Sequence, residues 1–369
     1  MTAQKTEPKV IEKELSFGPV HPALIEPYRI RLFVNDEIVE DCEININMAY
    51  RGIEKLCESK TYTQIIPIAD RLCYGASLSW SHLYCVTVED LLGLEVPPRA
   101  EYIRVAALEM QRIASHLMWL AAYAADLGAM IGFIYSMRDR EVFIDLLQAL
   151  SGSRITYNFP RFGGVAHDIP PNFERDSLRA CDYMEKRLKE YEDLYEGSKV
   201  FMLRNEGVGL LKKEDAMNLG VTGPSLRASG VRYDLRKDMP YSVYQELDFE
   251  PATHKDGDCY ARFKVRMDEM YESCKIIRQA VTKMPKGKWR TLAPRNAPEG
   301  TGLGRVEDPR GEGVMYVVGD GTDRPYRLKI RSPIFVTVSA APKMLIGYKI
   351  ADVVAIMGGL DMCIGESDR

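Results

Sequence analysis

A chain of 369 residues, 46% hydrophobic and with a formal net charge of −4, can bury a large core in one large domain or two fused ones. No stretch reaches the roughly 18–20 apolar residues of a membrane span, residues 1–13 lack the apolar core of a signal peptide, and near-neutral charge argues against a nucleic-acid footprint. Eight cysteines without one Cys-x-x-Cys point to a reducing compartment rather than a disulfide framework, and six of them read as small buried apolar side chains.

The first 17 residues read as a leader ending in a short strand. Phe17-Gly18-Pro19-Val20-His21-Pro22 is a loop, because two prolines and a glycine break either periodicity. Residues 28–34 alternate, with Ile30, Leu32 and Val34 against Arg29 and Arg31. Residues 41–47 alternate again, and Asn35-Asp36 lies between the two runs, so this is a hairpin with His21 near its open end. Asp70-Arg71-Leu72-Cys73-Tyr74-Gly75-Ala76-Ser77 then groups an acid, a thiol and a phenol. Cys73 with Ala76 is half of a Cys-x-x-Cys pair. The tail repeats the pattern with Cys363 and Glu366. A closed thiolate site needs about four soft ligands, and half of them are missing.

Residues 100–125 carry Ile103, Ala106, Met110, Ile113, Leu117 and Leu120 at helical spacing, with Glu101, Arg104 and Gln111 expected on the surface. A second helix, 131–150, is interrupted by Arg138-Asp139-Arg140-Glu141, which reads as a solvated turn. Asp126 falls at the end of the first helix, where the dipole disfavours its charge; its pKa should be raised, suiting it to relay a proton. Residues 153–170, with Thr156 and Arg161, form a Gly/Pro-punctuated loop. A charged outer helix is expected at 175–197 and a core helix at 258–284. Between them, 207–230 has glycines suited to close backbone packing. Residues 285–312 read as a partner-facing loop, 311–337 as strands, and 348–357 as a last apolar helix.

Several of these motifs resemble one family along almost the whole chain: the large subunit shared by respiratory complex I (its 49-kilodalton, or D, subunit) and membrane-bound nickel–iron hydrogenases. The matching stretches are the His21 loop, Tyr50-Arg51-Gly52-Ile53-Glu54-Lys55-Leu56, the Cys73 and Cys363 motifs, Asp126-Leu127-Gly128-Ala129, Arg161 with Gly163-Gly164-Val165, and residues 223–230 and 329–333. The resemblance implies an α+β fold: a central long-helix bundle with an N-terminal β-hairpin and sheet and a C-terminal β segment. Three regions follow: 1–48 with the substrate-site loop, a helical core at 49–310, and C-terminal strands, helix and tail at 311–369.

What the resemblance implies about function turns on the missing ligands. Hydrogenases hold nickel and iron with two Cys-x-x-Cys pairs. Keeping one Cys of each pair is similar to the ferredoxin-linked membrane-bound sulfane sulfur reductases, so no metal is expected on this chain. In complex I a second His of the loop helps hold a quinone headgroup against a Tyr, and an Asp supports that His. Here the second His is Ile25, while Tyr74 and Asp126 match the others. Ile25 leaves a quinone carbonyl unpaired, at roughly 1–3 kcal/mol. Arg51 matches an Arg beside the neighbouring subunit's cluster, Tyr50 replaces a family His, and Thr156 stands where a titrating His is often found. On residues alone, Arg51 could simply pair with Glu54.

The implied activity is that of a cytoplasmic-face, peripheral subunit with no cofactor of its own. A small iron–sulfur subunit (B-type) would hold the cluster, and C-type, ferredoxin-like, membrane H-type and antiporter-like subunits would complete the assembly, with ferredoxin as donor. The favoured acceptor is polysulfide, with Cys73 and Cys363 as neighbouring thiols lining the cavity. Arg51 and Arg161 would hold its charge, with Arg71 also at the site, and His21, Asp126 or Tyr74 would supply protons. The rival acceptor is methanophenazine, which has no carbonyls, or a quinone. A hydrogenase with unorthodox ligands and a pure scaffold are the remaining readings.

Overall fold

The structure, a computed structural model, describes residues 13–22, 24 and 26–369; most of the expected leader lies outside them. Alternating apolar residues give the N-terminal sheet one buried face. Strands β1 (Lys13–Phe17), β2 (Arg29–Asn35) and β3 (Ile38–Asn45) run antiparallel in that order. Asn35 pairs with Ile38, so the turn is the two residues Asp36-Glu37 and the third strand starts earlier than Asp41. Ile30, Leu32 and Val34 are buried with Ile334, Val338 and Leu345 of the Pro333–Leu345 helix.

The centre is the 29-residue helix Pro98–Asp126, packed between Met130–Ser151 and Cys259–Lys283. Helices cover it on so many sides that the amphipathic reading of its surface fails. Arg104 and Gln111 are buried, not exposed. Arg104 donates to Glu89 Oε1 at 2.5 Å and to the Gly164 carbonyl at 2.9 Å. Glu109, Arg112 and His116 are buried too, with His116 Nε2 2.8 Å from Glu269 Oε2. Buried charge persists only where it is paired, and facing helices supply the partners.

Met130–Ser151 runs uninterrupted. The charged quartet is not a solvated turn, because Asp139 is fully buried and accepts from Tyr183 (2.7 Å) and Tyr191 (2.5 Å). The outer helix Phe173–Glu196 carries Met184, Leu188, Tyr191 and Tyr195 on its buried face, as the spacing predicts. The loop before it contains a two-strand ribbon, β4 (Pro160–Arg161) and β5 (Gly164–Val165).

The stretch read as a loop at 285–312 contains β6 (Glu299–Asp308), whose many glycines and charges hide its pairing with β7 (Gly311–Asp320). β8 (Pro325–Arg331) completes that antiparallel sheet. The strands stop at Arg331. Ser332 caps the next helix through Ile334 N and Pro333 opens it, so Thr337 is helical, not extended. The last apolar helix is shorter than expected, Val353–Gly359 after a single 3₁₀ turn. Among the described residues no helix is long and apolar enough to cross a membrane.

Candidate functional site

The Cys73 motif lies in the turn between the helices Tyr62–Ala69 and Ser77–Leu92. Gln111 Oε1 accepts from Leu78 N (2.7 Å) and Ser79 N (3.3 Å), satisfying amides that open the second helix. The C-terminal motif reaches the same place. Asp368 takes the backbone amides of Asn47 and Ala49, each at 2.8 Å. Arg51 then fastens the two motifs, donating to the carbonyls of Arg71 (2.6 Å), Leu72 (3.2 Å) and Gly365 (2.6 Å). It does not pair with Glu54, which binds Lys329 and Arg369 instead.

One ligand atom from each of Cys73, Cys363 and Glu366 therefore lies within 4.8 Å of the others, and all three residues are buried. The expected neighbourhood of the two thiols is present. The Glu366 oxygens accept from Trp80 Nε1 (3.2 Å) and Ser332 Oγ (2.9 Å). Two thiols, a carboxyl already bonded on both oxygens, and Ala76 do not fit a nickel–iron group that four thiolates hold.

Sequence reasoning missed the cation at this centre. Pro309 and Arg310 form the two-residue tip of the β6–β7 hairpin, where Asp308 pairs with Gly311. Gly223 lets that tip approach: it has φ +70°, and a Cβ there would stand 2.5 Å from the Arg310 carbonyl. Arg310 is 5% exposed. It donates through Nη2 to Asp361 Oδ1 (3.0 Å), through Nε to the Asp361 carbonyl (3.1 Å), and through Nη1 to Ser115 Oγ (3.3 Å) and Cys73 Sγ (3.5 Å). Glu26, also unassigned from sequence, lies with Oε1 3.5 Å from Cys363 Sγ and accepts from Gly365 N (2.8 Å). The available signals were the charged residues Glu307, Asp308 and Arg310 inside glycine-rich sequence, and an acid beside Pro27.

These neighbours set the protonation pattern. Burial opposes ionisation of Cys73, but the Cys363 hydrogen bond and the Arg310 guanidinium outweigh it and hold this thiol below its ordinary range. The Cys73 contact and burial push Cys363 up. Burial, the Cys73 sulfur and Asp308 keep the Glu366 proton on. Tyr74 is 45% exposed; desolvation and the Glu26 carboxylate raise its pKa, so it is a neutral hydrogen-bond donor.

Asp126 closes its helix as expected, and burial pushes it up to about 6. It acts electrostatically, with Glu26, on the buried phenol of Tyr28. His21 is half-buried, its ring edge-on to Phe17 at 5.1 Å. Ile25 lies outside the described residues. The remaining candidates have partners other than the thiols. Arg71 donates to the Pro67 carbonyl at 2.8 Å. Arg161 is held by Asn158 Oδ1 at 2.8 Å, and Asn158 N donates to Asp70 Oδ2 at 3.1 Å. Burial raises Asp70 to about 6. Thr156 is half-buried in the same loop.

The family model of the 49 kDa subunit of respiratory-chain NADH dehydrogenase matches residues 126–297 and 292–369. The D-type subunit of the NADH-quinone oxidoreductase of Desulforamulus reducens is 44% identical over 362 residues, 98% of this chain and 99% of that one. The D-type subunit of the F(420)H(2) dehydrogenase of Methanosarcina mazei is 41% identical, covering 97% and 98%. A chain of the membrane-bound sulfane sulfur reductase, an archaeal respiratory membrane complex, superposes with a TM-score of 0.93 at 34% identity, covering 97% of this chain and 98% of that one. The chain belongs to the 49 kDa, or D-type, family and forms part of a multisubunit membrane oxidoreductase of complex I type.

Proposed function

We propose that electrons reaching this subunit leave it beside Tyr74 for a lipid-soluble redox carrier. Among the described residues, Cys73, Cys363 and Glu366 form the single cluster of potential metal ligands. The electrons would therefore come from an iron–sulfur cluster on a neighbouring B-type subunit. C-type and ferredoxin-like subunits would lie upstream, ferredoxin would be a donor, and membrane H-type and antiporter-like subunits would couple the transfer to ion movement. The chain itself would lie on the cytoplasmic face of the membrane.

The observation that carries this reading is the position of Asp126. On one side its charge, like that of Glu26, acts on the buried Tyr28 phenol. On the other, the next residue, Leu127, begins the lining of an apolar cavity of about 340 Å³, shared with Ile131, Leu194, Val200 and Phe201. An apolar ring system is favoured along such a surface, and a carboxyl at about pKa 6 is matched to proton delivery near neutral pH. Names of relatives at 44% and 41% identity, for quinone and F(420)H(2) enzymes, support it. By resemblance, Ile25 stands in the sequence where the family's carrier-holding His falls, which favours a carrier without a carbonyl to be met there, such as a phenazine, because a buried unpaired carbonyl costs roughly 1–3 kcal/mol. Replacing Tyr74 with Phe should raise KM for the carrier about 2–10-fold, the worth of one hydrogen bond. Upstream clusters should stay reducible. An unchanged KM and kcat would remove Tyr74 from the site.

A second reading, reduction of sulfane sulfur, is favoured by the Cys73 and Cys363 pair and by the 34% identical sulfane sulfur reductase chain. On that reading Arg51 and Arg161 would attract the anion, and His21 or Asp126 would protonate the products.

A further inference from the structure

We propose that Arg310 is a positioning residue that makes Cys73 a nucleophile toward sulfane sulfur, with Cys363 as its resolving thiol. The substrate class rests on the second reading above; the geometry does not. Four groups stand in sequence: the Arg310 guanidinium, Cys73 Sγ at 3.5 Å, Cys363 Sγ, and the Glu26 carboxylate 3.5 Å beyond it. A cation at one end and an anion at the other polarise the pair. The Cys73 sulfur is drawn to negative charge, while the Cys363 proton stays on its sulfur. Arg310 cannot drift away, because Asp361 and Ser115 hold its other nitrogens. The site is acidic as well: Asp308 and Glu366 also face the sulfurs. Arg310 is the guanidinium that contacts the Cys73 sulfur, while Arg51 binds the backbone carbonyls on either side. Tyr74, the next residue, is half-exposed.

The chemistry balances with the cluster of a neighbouring subunit as reductant. The Cys73 thiolate attacks a polysulfide sulfur; the adjoining sulfur–sulfur bond breaks, and the shortened polysulfide leaves with two negative charges. Cys73 then carries a persulfide. Cys363 attacks the Cys73 sulfur and passes its proton to the departing sulfur, which leaves as hydrosulfide. A Cys73–Cys363 disulfide remains. Two electrons, delivered singly by the iron–sulfur cluster, and one proton restore the thiolate and the thiol.

The test is polysulfide added to the purified assembly without electron donor, followed by mass mapping of sulfur on the Cys73 and Cys363 peptides. The wild type should end as the Cys73–Cys363 disulfide with hydrosulfide released. The Cys363→Ser assembly should stop with one added sulfur on Cys73. Arg310→Gln should slow loading at least tenfold, and Arg310→Lys, which keeps the charge and supports the fold, should restore most of it. Loading of the Cys363→Ser assembly that ignores the charge at position 310, or a wild type that forms no Cys73–Cys363 disulfide and releases no hydrosulfide, overturns the proposal. Carrier reduction measured on the same preparations reports the lipid-soluble reading separately, because Arg310→Lys should leave it intact.

Discussion

Arg51 Nη2 donates to the Gly365 carbonyl at 2.6 Å, joining two residues 314 positions apart in sequence. The same guanidinium also holds the carbonyls of Arg71 and Leu72, so it clamps both halves of the thiol site. Replacing Arg51 with Met should lower stability by about 1–3 kcal/mol, the worth of hydrogen bonds from a charged donor. It should also slow turnover while upstream clusters remain reducible. Thermal unfolding and donor-to-acceptor rates check the two effects. Arg51→Lys, which keeps the charge but not the fork, should recover little of the stability.

The pH dependence around Asp126 has a defined sign. Its folded pKa, about 6, lies above the ordinary 3.8. The folded chain therefore binds the proton more tightly, and this contribution to stability is present below the unfolded value and lost as pH rises through 6. Asp126→Asn should remove that part of the slope. The difference in midpoint between variant and wild type should grow in favour of the variant from pH 4 to pH 6. Carrier reduction by the variant should be slowed where the proton relay limits the rate.

Gly223 supports the hairpin tip that carries Arg310. A Cβ there would stand 2.5 Å from both the Arg310 carbonyl and Gly311 Cα, on a backbone at φ +70°. Gly223→Ala should destabilise the chain by about 1–3 kcal/mol through backbone strain. It should also weaken sulfur loading on Cys73, which sulfur mapping reads directly.

Gln111 illustrates a buried polar group whose loss is felt at a distance. Its Oε1 takes the amides of Leu78 and Ser79, just after the Cys73 motif. Gln111→Met should cost about 1–3 kcal/mol, because the buried Leu78 amide loses its partner, while Ser79 N keeps the Ala76 carbonyl. Denaturant unfolding measures it.

The strands at 29–35 and the helix at 98–126 were legible because each carries a plain periodicity. The meeting of Cys73 with Cys363 was legible only through the family resemblance, since no local pattern links residues so far apart. Periodicity failed where tertiary partners replaced solvent. Arg104 and Gln111 looked like surface residues on a helix that other helices enclose, and Asp139 looked solvated although two tyrosines hold it. β6 was hidden because Gly300, Gly302 and Gly304 carry no apolar alternation. The Cβ positions of Gly302 and Gly304 are taken by neighbours, the Thr87 carbonyl at 2.2 Å from the first and Thr87 Oγ1 at 2.3 Å from the second. Arg310 was missed with that strand.

The most direct measurement is the acceptor specificity of the purified membrane assembly, supplied with reduced ferredoxin. A lipid-soluble phenazine or quinone and polysulfide are offered separately. The expected result is carrier reduction that exceeds polysulfide reduction and falls in the Tyr74→Phe and Asp126→Asn assemblies. Polysulfide reduction with no carrier reduction in the wild type would contradict the account.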